Sequence, residues 1–291
     1  MRVFVAGATG AIGRQLVPAL IGAGHHVTGT SRTPAGVDQL QAQGATGVGL
    51  DVFDAPAVMR AVADAAPDAI IHQLTALNGG DPTANGRIRR IGTRHLVDAA
   101  QDAGVSRIVA QSVAWAYAPG DDPADESTPL DYDASAHRAN LVSGVDALER
   151  AVAEIEHPVV VRYGLLYGPG TWYRPDGLAA RVLRGDDDPD AGYLGDLIAN
   201  DAVSSFVHVA DAAAAAVAAL SWSVGPVNVV DDEPAPAHEW LPVLAAAVGA
   251  AAPARATGRA GWERGTTNAL ARSRGWAPRH GWRAGFGETT P

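Results

Sequence analysis

Three glycines, Gly7, Gly10 and Gly13, follow the apolar run Val3 to Ala6 and precede a helical pattern. A strand, a glycine-rich turn and a helix N-terminus together make a phosphate cradle. The first glycine allows a tight turn, the second lets the backbone approach a pyrophosphate, and the third lets helix and strand pack closely. Gly7, Ala8, Thr9, Gly10, Ala11, Ile12 and Gly13 are therefore the expected phosphate-binding segment, the plain alternative being a glycine-rich turn without a ligand. Hydroxyls able to move a proton near such a cradle stand at Thr75, Ser112, Tyr117 and Tyr163. Tyr117, Ser112 and Thr75 are the catalytic candidates, Tyr117 first among them. Without a cation beside it, a tyrosine keeps a pKa near ~10, which suits a proton donor better than a base. A core aromatic with a satisfied hydroxyl is the competing reading of Tyr117.

Positioning these residues takes a sheet. Short apolar runs at Val3–Ala6, His26–Thr30, Val48–Leu50, Asp68–Leu74, Arg107–Gln111 and Pro158–Tyr163 alternate with helical patterns, among them Arg87–Gly104 and Leu141–Glu154. That alternation predicts an α/β fold: a doubly wound parallel sheet of the Rossmann type with a smaller C-terminal substrate-binding region. The expected core is residues 1–163, with 204–224 packing back on it; 164–203 and 225–291 form the smaller region. Pro18 should bend or weaken the first helix.

In such a sheet, ligands lie at the carboxyl ends of the strands. The second strand ends in Thr30-Ser31-Arg32 and carries no carboxylate, so Ser31 and Arg32 favour the 2′-phosphate of NADP over NAD; a surface arginine is the alternative. Asp51 and Val52 fall beside the adenine. Gln73, Leu74, Thr75, Gln111, Tyr163 and Gly164 fall along the pyrophosphate and ribose side. Trp115, Tyr117, Tyr167, Thr171, Trp172 and Phe206 are the expected substrate wall, suited to an apolar or aromatic ring; Trp172 and Tyr173 read equally well as cover for a core edge. Arg162 and Arg174 are candidates for binding a carboxylate or phosphate, or are solvated. The run Arg87, Arg89, Arg90, Arg94 reads as surface or subunit contact. His137, just ahead of a helix, could replace a missing acid/base group, though a surface loop histidine is the simpler reading. His72 and His208 lie in apolar strands and read as core residues.

Composition narrows the chemistry. The 291 residues carry a net charge of −10, no cysteine, and 22 basic residues that are all arginine. Disulfides, thiolate metal sites, cysteine nucleophiles and Schiff-base lysines are excluded. The nine histidines show no metal-ligand spacing, so no metal is expected. The acidic balance disfavours nucleic acid and anionic membranes, and an apolar strand starting at residue 2 leads to the expectation of a cytoplasmic protein.

The motifs Gly7–Gly13, Ile71-His72, Gly92-Thr93-Arg-His-Leu-Val, Arg162-Tyr-Gly-Leu-Leu-Tyr-Gly-Pro-Gly170, Ser205-Phe-Val-His-Val-Ala-Asp-Ala212 and Arg272-Ser-Arg-Gly-Trp-Ala-Pro278 resemble the extended short-chain dehydrogenase/reductases, the NAD-dependent epimerase/dehydratase-like group, in order along the chain. The resemblance implies a homodimer and a catalytic trio: a Ser or Thr after the fifth strand, a Tyr, and a Lys four residues beyond it. Those positions fall here at Val113, Leu141 and Val145, and no lysine exists to restore the pair. The chain thus resembles an atypical member lacking the Tyr-x-x-x-Lys motif. The expected function is an NADP(H)-dependent oxidoreductase acting on a small, rather apolar carbonyl or enone. The alternatives are a non-redox isomerase, lyase or cyclase using Tyr117 or a histidine, or a non-catalytic nucleotide sensor.

Overall fold

A computed structural model describes residues 1–76, 82–188, 190–194 and 197–287. In chain order the first half runs β1 (Arg2–Ala6), α1 (Ala11–Gly22), β2 (His26–Ser31), α2 (Pro34–Ala42), β3 (Thr46–Gly49), α3 (Ala55–Ala65) and β4 (Ala69–His72). Next come α4 (Pro82–Arg87), a π-helical turn (Ile88–Gly92), α5 (Thr93–Asp102), β5 (Arg107–Val113), α6 (Ala136–Val152) and β6 (His157–Tyr163). The remainder is β7 (Leu165–Tyr167), α7 (Leu178–Arg184), β8 (Val203–Ser204), β9 (Phe206–His208), α8 (Val209–Ala218), β10 (Gly225–Val229), β11 (Ala235–Pro236), α9 (Ala237–Ala247), α10 (Ala269–Ser273) and α11 (Trp282–Gly285).

Seven parallel strands form the main sheet in the order β10-β6-β5-β4-β1-β2-β3. The chain winds outward from β1 to β3, then crosses over and winds outward from β4. The crevice between the ends of β1 and β4 is the topological switch point where such sheets bind ligands. Alternate strand residues serve opposite faces. Val3, Val5, Val109 and Val161 pack under α1 and α8 with Leu16 and Leu20. Phe4, Ile70, Ile108 and Ala110 pack under α3, α5 and α6 with Leu96 and Leu148. Each fully buried Leu or Ile contributes about 1.5–3 kcal/mol. Asp54 and Thr33 cap α3 and α2 by accepting the backbone N–H groups of Ala57 and Gly36.

Pro18 lies inside α1, on its exposed side. Two expectations change. Residues 225–229 are the edge strand of the main sheet, beside β6, and not part of the smaller region: Val227 and Val229, both fully buried, complete the core under α8. The helix expected from Leu141 begins at Ala136. His137 therefore falls inside it, and its side chain lies outside the described residues. Among the described residues no helix is long and apolar enough to cross a membrane.

Candidate active site

At the switch point the glycine turn takes the conformation its composition predicts. Gly7 has φ +88°, and a Cβ there would stand 2.7 Å from the Gln73 carbonyl oxygen at the end of β4. A Cβ on Gly13 would overlap the carbonyls of Gly7 and Ala8, so only glycine lets α1 sit this close to the turn. At Gly10 the nearest atom to such a Cβ is 3.4 Å away, leaving that face approachable. Ala8 and Ile12 turn their side chains into the core, so the backbone faces the crevice. The first N–H groups of α1 have no carbonyl within their own helix and sit at its positive end. Arg14 Nε braces the turn by donating to the Thr9 carbonyl at 3.0 Å. From the other side, Gly170 approaches: a Cβ there would lie 3.6 Å from the Ala11 Cβ. A cradle that side chains would fill, at a helix N-terminus, fits a dinucleotide pyrophosphate.

The end of β2 leaves one cation unused. Arg32 is exposed and makes no hydrogen bond or ion pair with a described residue. Ser31 is buried, its hydroxyl accepting the Thr33 N–H at 3.2 Å. Asp51 is exposed and accepts the Phe53 N–H at 3.0 Å, while Val52 packs on Gly92. Deeper in the cleft, Gln111 Nε2 donates to the Leu74 carbonyl at 3.0 Å and Gln73 Nε2 donates to Tyr163 Oη at 3.3 Å. Gln73 Oε1 is buried without a donor among the described residues. Gly164 lies tight against the Ser205 carbonyl.

The hydroxyls expected to do chemistry are mostly bonded elsewhere. Tyr163 donates to the Ala212 carbonyl at 3.3 Å on the α8 side, and burial pushes its phenol up. Ser112 Oγ donates to Glu149 Oε1 at 2.8 Å. Arg162 clasps the same carboxylate through Nε at 3.0 Å and Nη2 at 2.6 Å, and gives Nη1 to Tyr117 Oη at 2.9 Å. Tyr117 Oη in turn donates to Asn228 Oδ1 at 2.6 Å. A cation does stand beside Tyr117, contrary to the sequence expectation. Burial nevertheless wins: the phenol is 2% exposed and pushed up to about 12, with Arg162 working against the rise. Burial also opposes the Arg162 charge, but Glu149 outweighs it and holds the guanidinium above its ordinary pKa. Arg162 is thus a paired core cation and not an open carboxylate site. Thr75 is the one catalytic candidate on the surface.

Val113 and Val145 are buried, with Leu141 partly buried against them, in a cluster that includes Ala116, Leu130, Val142 and Trp115. These three side chains therefore belong to an apolar wall. The expected aromatic substrate wall is largely core. Tyr167 and Phe206 are fully buried, and Phe206 packs edge-on against Tyr173, Trp240 and Phe286 at centroid distances of 5.5, 5.2 and 5.2 Å. Thr171 folds its hydroxyl onto the Gly168 carbonyl at 2.8 Å, and Trp172 sits half-buried at the cluster edge. Trp115 remains half-buried, packed against the Val113 cluster.

Sequence reasoning missed Glu149 as the hub of the buried network, and it misassigned Arg89. Of the four arginines read as surface or subunit contact, Arg94 pairs with Asp98 and Glu154, Arg90 reaches Ser143, and Arg87 covers the Phe53 ring. Arg89 instead points inward, only 6% exposed. A signal existed: Arg89, Thr93, Leu96 and Ala100 share one helical stripe. Among the described residues, no group of acidic or histidine side chains could hold a metal ion.

Comparison with known proteins identifies the family. Residues 3–230 match the model of the NAD dependent epimerase/dehydratase family. The chain is 45% identical over 313 residues to a Streptomyces protein named 3-diazoavenalumate denitrifying reductase, spanning 99% of each. It superposes on the UDP-glucose 4-epimerase of Thermus thermophilus in complex with NAD with a TM-score of 0.75 and 27% identity, covering 99% of this chain and 97% of that one. The Bordetella bronchiseptica enzyme WbmG, in complex with NAD and UDP, shares the fold with a TM-score of 0.77 at 20% identity, covering 98% and 92%. The chain therefore belongs to the NAD dependent epimerase/dehydratase family and is an oxidoreductase.

Proposed function

We propose that this enzyme uses NADPH to remove the diazo group from a small aromatic carboxylate, releasing dinitrogen. The observation that carries the reading is the apolar wall of Val113, Leu141 and Val145, the positions that the family resemblance aligns with its proton-handling trio, in a chain without lysine. The name of the Streptomyces relative supplies the reaction type, a reduction that expels nitrogen from a diazo compound. The two fit chemically. Reducing a carbonyl or enone leaves an oxyanion or enolate that must be protonated, and the buried hydroxyls of Ser112 and Tyr117 already donate to other groups. Replacing a diazonium group by hydride leaves no anion: the C–N bond breaks, its electron pair departs with N2, and a C–H bond forms.

When bound, the reduced nicotinamide supplies the hydride and is oxidised by two electrons. The chain's own residues do the rest. The Gly7–Gly13 cradle holds the pyrophosphate, and Arg32, free of any partner among the described residues, pairs with a 2′-phosphate. The apolar cluster keeps water from the reactive carbon, where it would otherwise give a phenol. A lack of the strongest nucleophiles supports the reading as well. Diazonium ions attack thiolates, amines and phenolates, and also couple to imidazoles. The chain has no cysteine and no lysine side chain, and burial holds the phenols of Tyr117, Tyr163 and Tyr173 protonated.

The test is turnover of NADPH with a carboxylated arenediazonium salt, following nicotinamide absorbance, nitrogen release and arene formation. Equal amounts of all three are expected. Steady NADPH consumption with a ketone or enone panel, and none with the diazonium, overturns the proposal.

A further inference from the structure

Arg89 carries a positive charge into the interior with no described residue bonded to its guanidinium. It sits on the π-helical turn between α4 and α5, a device often found at functional sites. The turn is clamped in place. The Leu74 N–H donates to His72 Nδ1 at 3.1 Å, which leaves Nε2 to donate to Thr93 Oγ1 at 2.9 Å. The Thr93 hydroxyl then donates to the Ile88 carbonyl at 3.3 Å. The Arg89 side chain lies along α6, where a Cβ built on Gly144 would stand 3.5 Å from its Cδ. Its Nε is wholly buried without an acceptor, and no hydrogen bond or ion pair joins its guanidinium to a described residue. Glu149 is the carboxylate whose charge reaches it, and Arg162 and Ser112 already hold that carboxylate. His72 cannot help: burial first, then the Arg89 charge, lower the imidazole to about 4, so it is neutral.

Burying an unpaired cation is strongly unfavourable, and an apolar side chain of similar length would fill this space without that penalty. The charge therefore has a use that no described residue satisfies. Its place suggests which. Arg89 packs on Gly144, the residue beside Val145, and its charge is felt at His72, at the end of β4.

We propose that Arg89 supplies, from the neighbouring helix, the cation that the family takes from the missing lysine, donating to the ribose hydroxyls of the nicotinamide half of the dinucleotide. A guanidinium stays charged at neutral pH and has no lone pair to relay a proton. It positions the nucleotide without restoring acid/base chemistry. The proposal rests on the cleft holding a nicotinamide dinucleotide and is independent of the substrate.

The test is binding, measured by fluorescence or calorimetry without substrate, for the wild type, Arg89→Met and Arg89→Lys. NADPH and NADH report the whole dinucleotide; 2′,5′-ADP and ADP report the adenosine half. Arg89→Met is expected to weaken dinucleotide binding by about 10–100-fold, leave the adenosine half within about 2-fold, and leave the ligand-free melting temperature unchanged or raised. Arg89→Lys should recover part of the loss. Equal loss for whole and half ligands, no loss for either, or a ligand-free protein that melts several degrees lower overturns the proposal. Failure of the wild type to bind any dinucleotide overturns the cofactor reading along with it.

Discussion

Replacing Tyr117 with Phe separates the two roles a tyrosine at this place could have. The change removes one oxygen from a side chain that is 2% exposed and keeps the ring beneath the Arg162 guanidinium, 4.9 Å from the ring centroid. Two bonds go: the 2.6 Å donation to Asn228 and the 2.9 Å bond received from Arg162. A neutral buried hydrogen bond is worth about 0.5–1.5 kcal/mol and one to a charged group about 1.5–3. Arg162 retains both contacts to Glu149, so its charge stays paired and the larger cost of an orphaned buried cation does not arise. The expected loss is about 2–4 kcal/mol, read from the urea midpoint at constant m. Turnover should stay within about 3-fold, because a phenol held near 12 and closed to solvent relays no proton to a ligand. A fall in kcat/KM of about 100-fold or more, with stability changed by less than about 0.5 kcal/mol, would refute the reasoning and return Tyr117 to the catalytic role.

Three further outcomes follow from other parts of the molecule. Arg32→Ala should weaken NADPH binding by about 10-fold and leave NADH binding nearly unchanged, and equal loss for both removes the 2′-phosphate role. Asp231 is buried with one oxygen unpartnered among the described residues, and burial raises its carboxyl to about 7. The folded chain therefore binds a proton that the unfolded chain releases near 4, and the stabilisation present in acid is lost as pH rises through 7. Asp231→Asn should match the wild type near pH 4 and exceed it near pH 8 by about 2–4 kcal/mol in urea unfolding; a constant difference across pH contradicts this. Excess arenediazonium should couple to Tyr132, which is 62% exposed, and spare Tyr117, Tyr163, Tyr167 and Tyr173 when adducts are mapped by mass spectrometry; labelling of those four in the folded protein breaks the inertness argument.

The parts legible in the sequence are those set by local pattern. The strands declare themselves because Val3–Ala6, Ile70–His72 and Val159–Tyr163 are buried on both faces. The cradle declares itself because Gly7 and Gly13 occupy places where a Cβ would collide with backbone. What stayed hidden is long-range. Tyr117 is fixed by Arg162 and Asn228, residues 45 and 111 positions away, so nothing around Tyr117 in the chain shows that its hydroxyl is already bonded. Tyr167 and Phe206 read as a cleft wall because an aromatic beside a loop has the same local pattern as one in a core. The partners that bury them, Trp240 and Phe286, come from the last quarter of the chain. Arg89 was masked by its neighbours: in a run of arginines, one that turns inward differs only by its helical phase, and a π-helical turn shifts that phase.

The most direct test of the account is the fate of the transferred hydrogen. With NADPH carrying deuterium at nicotinamide C4 in ordinary water, reduction of an arenediazonium is predicted to give an arene with deuterium at the former diazo carbon, one N2 per nucleotide oxidised, and no solvent hydrogen at that position. An arene that takes its hydrogen from water, or nitrogen release that proceeds without oxidation of the nucleotide, would contradict it.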